Sequence, residues 1–251
     1  MVNTLIIKKP KISFLTSSMN RLEHLKKTYI SNIKSTLSQT KFQVEFVLLN
    51  YSSTDKINDW VNTLSDISVN FNYIKCMGKK YFNMSHAKNI LGKHACGDIL
   101  CWLDADNFMK PGFCEFIFEN ISNTDIFYVP YSDKTKGLCG RICCTRELFF
   151  QIGGYDETFQ GWGYEDVDFV NRAKANKYKE KKIPIKFLGG LNHDDLLRFK
   201  NYEKRQIEKI SDESVYKKMQ VKSNLDNFRK SSDNIKNQKI IANIGIPWGL
   251  I

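Results

Sequence analysis

Residues 99–106 read Ile99-Leu100-Cys101-Trp102-Leu103-Asp104-Ala105-Asp106, an apolar run that ends in two aspartates at positions i and i+2. A continuous apolar run is typical of a central strand that is buried on both faces of a parallel sheet. Side chains at i and i+2 point to the same side only in extended chain, so both carboxylates can face one cleft at the end of this strand. In open α/β sheets, ligands bind beyond the carboxyl ends of the strands. The run therefore predicts a parallel sheet and a site at its edge.

Strands and helices alternate on both sides of this run. Apolar runs of strand length are separated by segments in which apolar residues recur near a 3.6-residue period. We expect further strands at residues 12–15, 42–49, 71–76, 127–129, 138–144 and 183–188, and helices after residue 20 and near residues 57–64, 84–95, 113–121, 146–152 and 166–175. This alternation predicts an α/β fold with a Rossmann-like, mostly parallel sheet flanked by helices.

Three local details accompany the helices. Asn20, with Glu23 three residues later, predicts a capping box at the start of the first helix. Thr145 is expected to cap the short helix that follows it. The helix at residues 166–175 is expected to turn Val167 and Val170 toward the core.

Composition limits the class of protein and its partners. No apolar stretch reaches the roughly 18 residues of a membrane span, and the N-terminus lacks the pattern of a signal peptide, so we expect a cytoplasmic protein. The formal net charge of +11 indicates either a solvated surface or an attraction for polyanions. No nucleic-acid-binding module is recognisable, so no nucleic-acid partner is expected, whereas a peripheral membrane contact stays open. The seven cysteines lack metal-site spacing and are expected to be mostly buried free thiols.

Asp104 and Asp106 suit a hard divalent cation. Mn²⁺ and Mg²⁺ take oxygen ligands and complete their shells with substrate phosphates, and such a cation neutralises the charge on a departing diphosphate. His193, which follows a predicted strand and a glycine pair, is the expected third ligand because neutral imidazole suits Mn²⁺. The alternatives are two solvated loop aspartates and a structural histidine.

Residues 161–168 read Gly161-Trp162-Gly163-Tyr164-Glu165-Asp166-Val167-Asp168, an aromatic loop followed by three carboxylates. The face of Trp162 offers a platform for a sugar ring. Glu165 and Asp166 open a predicted helix, whose N-terminus favours their ionised forms, as a general base requires. The alternative is that these acids only cap the helix, and Asp168 is the member expected to be structural.

Two loops follow the first two predicted strands, where a nucleotide would bind in a sheet of this type. Ordinary turn chemistry is the alternative for both loops. Lys88 precedes the strand of Asp104 and could meet a phosphate or a donor sugar, or be a surface lysine; His86 is a weaker candidate for the same role. The candidate nucleotide-sugar-binding residues are Thr16, Ser18, Arg21, Asn50, Ser52, Asp55, Lys88 and Asp104.

Residues 12–195 resemble inverting glycosyltransferases of the GT-A fold, with features of family 2. The resemblance rests on Ala87-Lys88-Asn89-Ile90-Leu91-Gly92 followed by residues 97–106, and more specifically on residues 152–157 with residues 161–168. The latter pair is similar to the acceptor-side motif of β1,4-galactosyltransferases and bacterial chondroitin-type polymerases. The resemblance implies that Asp166 is the catalytic base, that Trp162 and Glu165 contact the acceptor, that His193 completes a Mn²⁺ (or Mg²⁺) site, and that the donor is a UDP-sugar. Many relatives carry Asp where this chain has Asn50.

The predicted function is metal-dependent, inverting transfer of a hexose or N-acetylhexosamine from a UDP-sugar to a hydroxyl of a glycan or another acceptor. The GT-A domain would span residues 1–198, and a basic, helical extension over residues 199–251 would pack on it, with helices near residues 199–210 and 215–228. A non-catalytic sugar-nucleotide or glycan-binding module of a larger assembly is one alternative. A nucleotidyltransferase is another, although the chain lacks a glycine-rich triphosphate loop with a following lysine. The sequence carries no signal for the donor sugar, the linkage or the oligomeric state.

Overall fold

A computed structural model of the chain describes residues 11–37, 43–64, 70–135, 137–191, 199–210 and 221–251. The strands are β1 (Lys11–Ser18), β2 (Gln43–Tyr51), β3 (Asn70–Cys76), β4 (Ile99–Trp102), β5 (Asn107–Met109), β6 (Asp125–Tyr128), β7 (Ile142–Thr145), β8 (Lys179–Lys182) and β9 (Leu188–Gly190). Within these ranges the α-helices are α1 (Leu22–Leu37), α2 (Ile57–Asn62), α3 (Met84–His94), α4 (Phe113–Asn120), α5 (Arg146–Gln151), α6 (Glu165–Ala175) and α7 (Lys222–Lys236).

Seven strands form the main sheet in the order β3-β2-β1-β4-β7-β6-β8. The first four are parallel to one another, and β7 then runs antiparallel to both β4 and β6. The apolar run that begins at Ile99 forms β4, which lies between β1 and β7 near the middle of the sheet. The α/β fold with a mostly parallel sheet is therefore confirmed.

The sheet separates two apolar clusters. Alternate residues of β4 belong to different clusters: Leu100 and Trp102 to one, Ile99 and Cys101 to the other. This alternation follows from the period of two in a strand that is covered on both faces. Burial on both sides holds the end of β4, where Asp104 and Asp106 follow, in a fixed position.

A second, two-stranded sheet lies directly beyond these aspartates. Strands β5 and β9 pair antiparallel, with Asn107 opposite Gly190. The backbone N–H of Leu191 donates to the carbonyl of Asp106 at 2.8 Å, so the chain after β9 returns to the aspartate pair.

Several expectations about the elements were wrong. Residues 183–188 form a 3₁₀ turn (Ile185–Phe187) that leads into β9, whereas the strand before them is β8. Strand β8 lies at the edge of the sheet, paired with β6, and all four of its residues are exposed. It therefore lacks the alternation of buried and exposed residues by which strands are recognised. Residues 200–210 contain one 3₁₀ turn (Lys204–Gln206) and no α-helix. Of the helix expected near residues 215–228, residues 215–220 lie outside the described part of the chain, and the described helix α7 runs from Lys222 to Lys236.

The capping box was also wrong, whereas the cap of α5 is confirmed. The side-chain oxygen of Asn20 accepts a hydrogen bond from the backbone N–H of Thr54 at 2.7 Å. The start of α1 is instead capped by Asp55, whose carboxylate accepts from the backbone N–H of Leu22 at 3.0 Å. The hydroxyl of Thr145 accepts from the N–H of Leu148, as the sequence predicts.

All seven cysteines lie in the described part of the chain as free thiols. Five are buried, as expected, but Cys96 is exposed and Cys139 is partly exposed. Among the described helices, none combines the length and apolar character that crossing a membrane requires.

Candidate active site

A cavity of about 430 Å³ opens at the carboxyl ends of β1 and β4. Its lining includes Asp104 and Asp106 from the loop after β4, Trp162 from the aromatic loop, and Glu165 and Asp166 from the start of α6. Carboxylates that are about sixty residues apart in sequence thus face one hollow, as their motifs suggest.

The carboxylate of Asp104 is surrounded by charged groups of both signs. Burial raises its pKa, and the carboxylates of Asp106 and Glu165 add to that rise, while Lys88 and Arg141 oppose it. A bound cation at this position would relieve the repulsion. The backbone of Gly140 passes so close that a Cβ there would lie 2.1 Å from Asp104 Oδ2, so this position has no room for a side chain.

Arg141 organises the loop that carries Asp106. Its fully buried guanidinium donates to the carbonyl of Phe108 at 2.7 Å and to the side-chain oxygen of Asn107 at 3.3 Å. Asn107 in turn donates to Asp106 Oδ1 at 2.7 Å. Arg141 was not among the residues singled out from the sequence, although a charged residue at the entry of the apolar β7 was an available signal.

Lys88 joins the two carboxylates at the start of α6. Its buried ammonium, on α3, lies 2.5 Å from Asp166 Oδ1 and 3.2 Å from Glu165 Oε1. Burial works to lower the pKa of Lys88, but the carboxylates of Asp166, Glu165 and Asp104 outweigh it and raise the pKa above its ordinary value. Lys88 is therefore a buried cation beside the candidate base.

Asp166 keeps 18% of its side chain exposed, so it can be reached from the cavity that it lines. Burial, together with the carboxylates of Glu165 and Asp104, raises its pKa to about 8, and the Lys88 ammonium works against this rise. An acid with a pKa near neutrality is suited to accept and release protons.

The aromatic loop is held by α7. Trp162 donates its backbone N–H to the hydroxyl of Ser223 at 3.0 Å, and that hydroxyl donates to the Trp162 carbonyl at 2.9 Å. The amide of Asn227 donates to the carbonyls of Gly163 at 2.8 Å and Gln160 at 3.1 Å. The indole of Trp162 packs edge-on against Phe199, with ring centroids 5.4 Å apart.

The structural role expected for Asp168 is confirmed, and the inward position expected for Val167 is wrong. Asp168 is fully buried, accepts from Arg172 at 2.7 Å and accepts from the Ser231 hydroxyl at 2.7 Å. Val167 is 46% exposed and lines the cavity, whereas Val170 is buried as expected. The apolar residues on the buried side of α6 are Phe169, Val170 and Ala173, so Val167 lies on the side of the helix that faces the cavity.

The candidate donor-binding residues divide into two groups. Arg21 and Asp104 line the cavity, together with Ser17 and Met19, which were not proposed from the sequence. The other candidates do not line the cavity; they are Thr16, Ser18, Asn50, Ser52, Asp55 and Lys88.

Three members of the second group hold the loops that they belong to. The amide of Asn50 donates to Tyr73 at 3.1 Å and its oxygen accepts from the N–H of Ser53 at 2.9 Å. The hydroxyl of Ser52 donates to the carbonyl of Cys76, and Asp55 caps α1. Their contact with a nucleotide stays a prediction.

His86, the weaker candidate, contacts two other parts of the chain. Its ring nitrogens lie 2.9 Å from the Tyr51 hydroxyl and 2.8 Å from the carbonyl of Leu250. These contacts tie α3 to β2 and to the C-terminal segment, which is a structural role.

The third candidate metal ligand, His193, lies outside the described residues. Within the described ranges, no group of three or more His, Cys, Asp or Glu side chains is arranged to hold a metal ion. Leu191, the last described residue before it, donates its backbone N–H to the carbonyl of Asp106. The metal assignment to Asp104, Asp106 and His193 therefore stays a prediction.

Two family models match the chain. Residues 13–139, just over half of the chain, match glycosyl transferase family 2, and residues 125–195 match a model described as the N-terminal domain of galactosyltransferase. The chain therefore belongs to glycosyl transferase family 2. The first match covers Asp104 and Asp106, and the second covers Asp166. No curated protein is similar enough to count as a match.

Solved structures share the fold at low sequence identity. GalNAc-T7 with UDP, GalNAc and Mn²⁺ has a TM-score of 0.60 and 17% identity over 74% of this chain and 44% of that one. Residues 1–349 of S. aureus TarS in complex with UDP-GlcNAc have a TM-score of 0.57 and 16% sequence identity, over 73% of this chain and 59% of that one. PcManGT from Pyrobaculum calidifontis, a mannosyltransferase in complex with GDP-Man and Mn²⁺, has a TM-score of 0.55 and 17% sequence identity, over 72% of this chain and 56% of that one. The chain thus spans 44% to 59% of these proteins, and the likeness confirms the GT-A fold.

Proposed function

We propose that this protein is a metal-dependent, inverting glycosyltransferase that moves a hexose or N-acetylhexosamine from a UDP-sugar to a hydroxyl of a glycan or another acceptor. The observation that carries the proposal is the single cavity lined by Asp104, Asp106 and Asp166. A diphosphate held at the first two residues and an acceptor hydroxyl beside the third would then share one space, as a direct displacement requires.

The residues at Asp104 fit a divalent cation. One loop supplies two carboxylates, and the pKa of Asp104 is raised. Gly140 has no side chain that would cover the Asp104 carboxylate. These features suit Mn²⁺ or Mg²⁺. We propose that Asp104, Asp106 and His193 hold the ion, which when bound supplies positive charge to the diphosphate leaving group. Mn²⁺ in the structures of GalNAc-T7 and PcManGT supports this proposal.

Asp166 is the proposed general base. The acceptor oxygen attacks the anomeric carbon as the bond from that carbon to the diphosphate breaks, the configuration inverts, and UDP departs. Asp166 takes the proton that the acceptor hydroxyl loses. The Lys88 ammonium favours the ionised form of Asp166, which is the form that can accept this proton.

Trp162 and Glu165 are the proposed acceptor contacts, because both line the cavity beside Asp166. The proposed donor contacts remain those named from the sequence, of which Arg21 and Asp104 reach the cavity. UDP-GlcNAc in the TarS structure and UDP in the GalNAc-T7 structure support a uridine nucleotide as the donor. We also propose that the protein is cytoplasmic, with or without a peripheral contact with a membrane.

A donor screen tests this function. The full chain is incubated with MnCl₂ and, one at a time, UDP-glucose, UDP-galactose, UDP-GlcNAc, UDP-GalNAc and UDP-glucuronic acid, and release of UDP is measured with and without saccharide acceptors. We expect Mn²⁺-dependent UDP release from at least one donor. Release of pyrophosphate from UTP and a sugar phosphate would instead indicate a nucleotidyltransferase. Binding of a UDP-sugar without any release would indicate a binding module.

A further inference from the structure

The first turn of α7 forms part of the cavity wall. Asn224 lines the cavity together with Trp162 and Asp166, and it is 8% exposed. Helix α7 begins at Lys222 and lies beyond residues 13–139 and 125–195, the segments that the two family models match. This chain therefore closes one side of its cavity with residues that the shared part of the family does not supply.

Asn224 differs from its neighbours on α7 in what its side chain binds. Ser223 and Asn227 use their side chains to hold the backbone of the aromatic loop. The Asn224 carboxamide makes no side-chain hydrogen bond to the described residues, and it packs on Gly163, where a Cβ would lie 2.7 Å from Asn224 Oδ1. Its donor and acceptor groups are therefore available to a molecule in the cavity.

The surrounding wall is aromatic. Trp162, Phe82, Phe199 and Tyr202 line the same cavity, and the rings of Phe82 and Tyr202 lie 6.0 Å apart. Apolar ring faces beside a few placed polar groups suit a pyranose, which presents C–H faces and hydroxyl edges. A single side-chain amide in such a wall can distinguish one arrangement of hydroxyl groups from another.

We infer that Asn224 is a specificity-determining residue that hydrogen-bonds a hydroxyl group of a pyranoside acceptor lying against Trp162. This inference rests on the proposed function, since it assigns the acceptor to a class of saccharide. The bond is made by a residue from the C-terminal segment, so acceptor selectivity is set outside the part of the chain that carries Asp104 and Asp166.

Saturation-transfer NMR tests the inference without requiring turnover. The probes are the methyl β-glycosides of glucose, galactose, N-acetylglucosamine and N-acetylgalactosamine, titrated into the full chain in the presence of UDP and MnCl₂. The variants are Asn224→Ala and Asn224→Leu, the second of which keeps the volume that packs on Gly163. Asn237→Ala, at the exposed end of the same helix, is the matched control.

We expect at least one glycoside to bind, and both Asn224 variants to weaken it about fivefold, the loss of one neutral hydrogen bond, while Asn237→Ala binds as the wild type does. Unchanged binding by both Asn224 variants, or binding of no glycoside by the wild type, would overturn the inference. Thermal unfolding of each variant shows whether a loss of binding follows from loss of fold. Glycoside binding that depends on Asn224, without UDP release from any donor, would support the inference and refute the enzymatic function.

Discussion

Lys88 is the residue through which the two halves of the candidate site interact. It pairs with Glu165 and Asp166 directly and contributes to the charge balance of Asp104. Removing one partner of a buried ion pair leaves an uncompensated charge, so each member affects the protonation of the others. The two predictions at the scale of single residues concern this cluster.

The first prediction concerns the proposed base. Asp166→Asn removes the proton acceptor but keeps the size of the side chain, so we expect turnover to fall about 100- to 10,000-fold while UDP affinity changes little. Initial rates of UDP release and calorimetric titration with UDP and MnCl₂ measure the two quantities. Asp226→Asn, on the exposed side of α7, is the control. Near-normal turnover of Asp166→Asn would refute the base assignment.

The second prediction concerns the pKa of Asp166. In the metal-free protein, carboxyl carbon NMR should give a midpoint near pH 8 for Asp166. Asp104→Asn removes a negative charge that raises this pKa and should lower the midpoint. Lys88→Met removes the cation that opposes the rise and should move it upward. Midpoints that stay in place in both variants would show that these charges do not act on Asp166.

At the scale of elements, α7 and the aromatic loop act as a unit. Ser223 and Asn227 bond to the loop backbone, and the loop uses left-handed φ angles at Gly161 (+69°), Gly163 (+100°) and Tyr164 (+72°). Such angles are easily adopted by glycine and cost other residues free energy. The position of Trp162 therefore depends on contacts made by a helix about sixty residues later in the chain.

Gly163→Ala tests this dependence. We expect it to lower the free energy of unfolding by more than about 1 kcal/mol, because the new Cβ combines backbone strain with a collision at Asn224. Gly78→Ala is the matched control, since Gly78 has a φ of +81° but a Cβ added there would meet no atom within 4 Å. Chemical denaturation of both variants separates strain from collision. Equal losses in the two variants would show that the contact with Asn224 has no energetic weight.

At the scale of the whole molecule, the sheet brings distant motifs to one cavity. Asp104 and Asp106 follow strand β4, Asp166 lies in the first turn of α6, and all three line the cavity. Lys88, on α3, does not line the cavity but forms an ion pair with Asp166. The charges of the cavity belong to no single element, so binding of an ion and of a nucleotide should be coupled across it.

Calorimetry measures that coupling. Mn²⁺ should increase the affinity of the wild type for UDP, and Asp104→Ala should remove most of this increase because the proposed ion loses a carboxylate ligand. Asp98→Ala, beside the opposite end of β4, should keep the effect of Mn²⁺. Equal UDP affinity with and without Mn²⁺ in the wild type would refute the metal assignment.

The sequence by itself determined the features that depend on near neighbours in the chain. The apolar run of β4 with its two aspartates, the alternation of strands and helices, and the aromatic loop before the acids of α6 are all local patterns, and local periodicity reflects burial directly. From these the α/β fold and the family could be predicted, together with the idea of a shared site.

Only the tertiary structure decided which side chains meet across long separations. The pairing of Lys88 with Asp166, the cap that Asp55 gives to α1, the support of Asp106 by Arg141 through Asn107, and the place of Asn224 in the cavity wall leave no periodic signal. The exposed strand β8 was not predicted from the sequence for a related reason. It is held in the sheet by hydrogen bonds to β6, and its own side chains are not buried, so they form no alternating apolar pattern. Such contacts follow from how the layers pack, and a side chain's sequence neighbours carry little information about that packing.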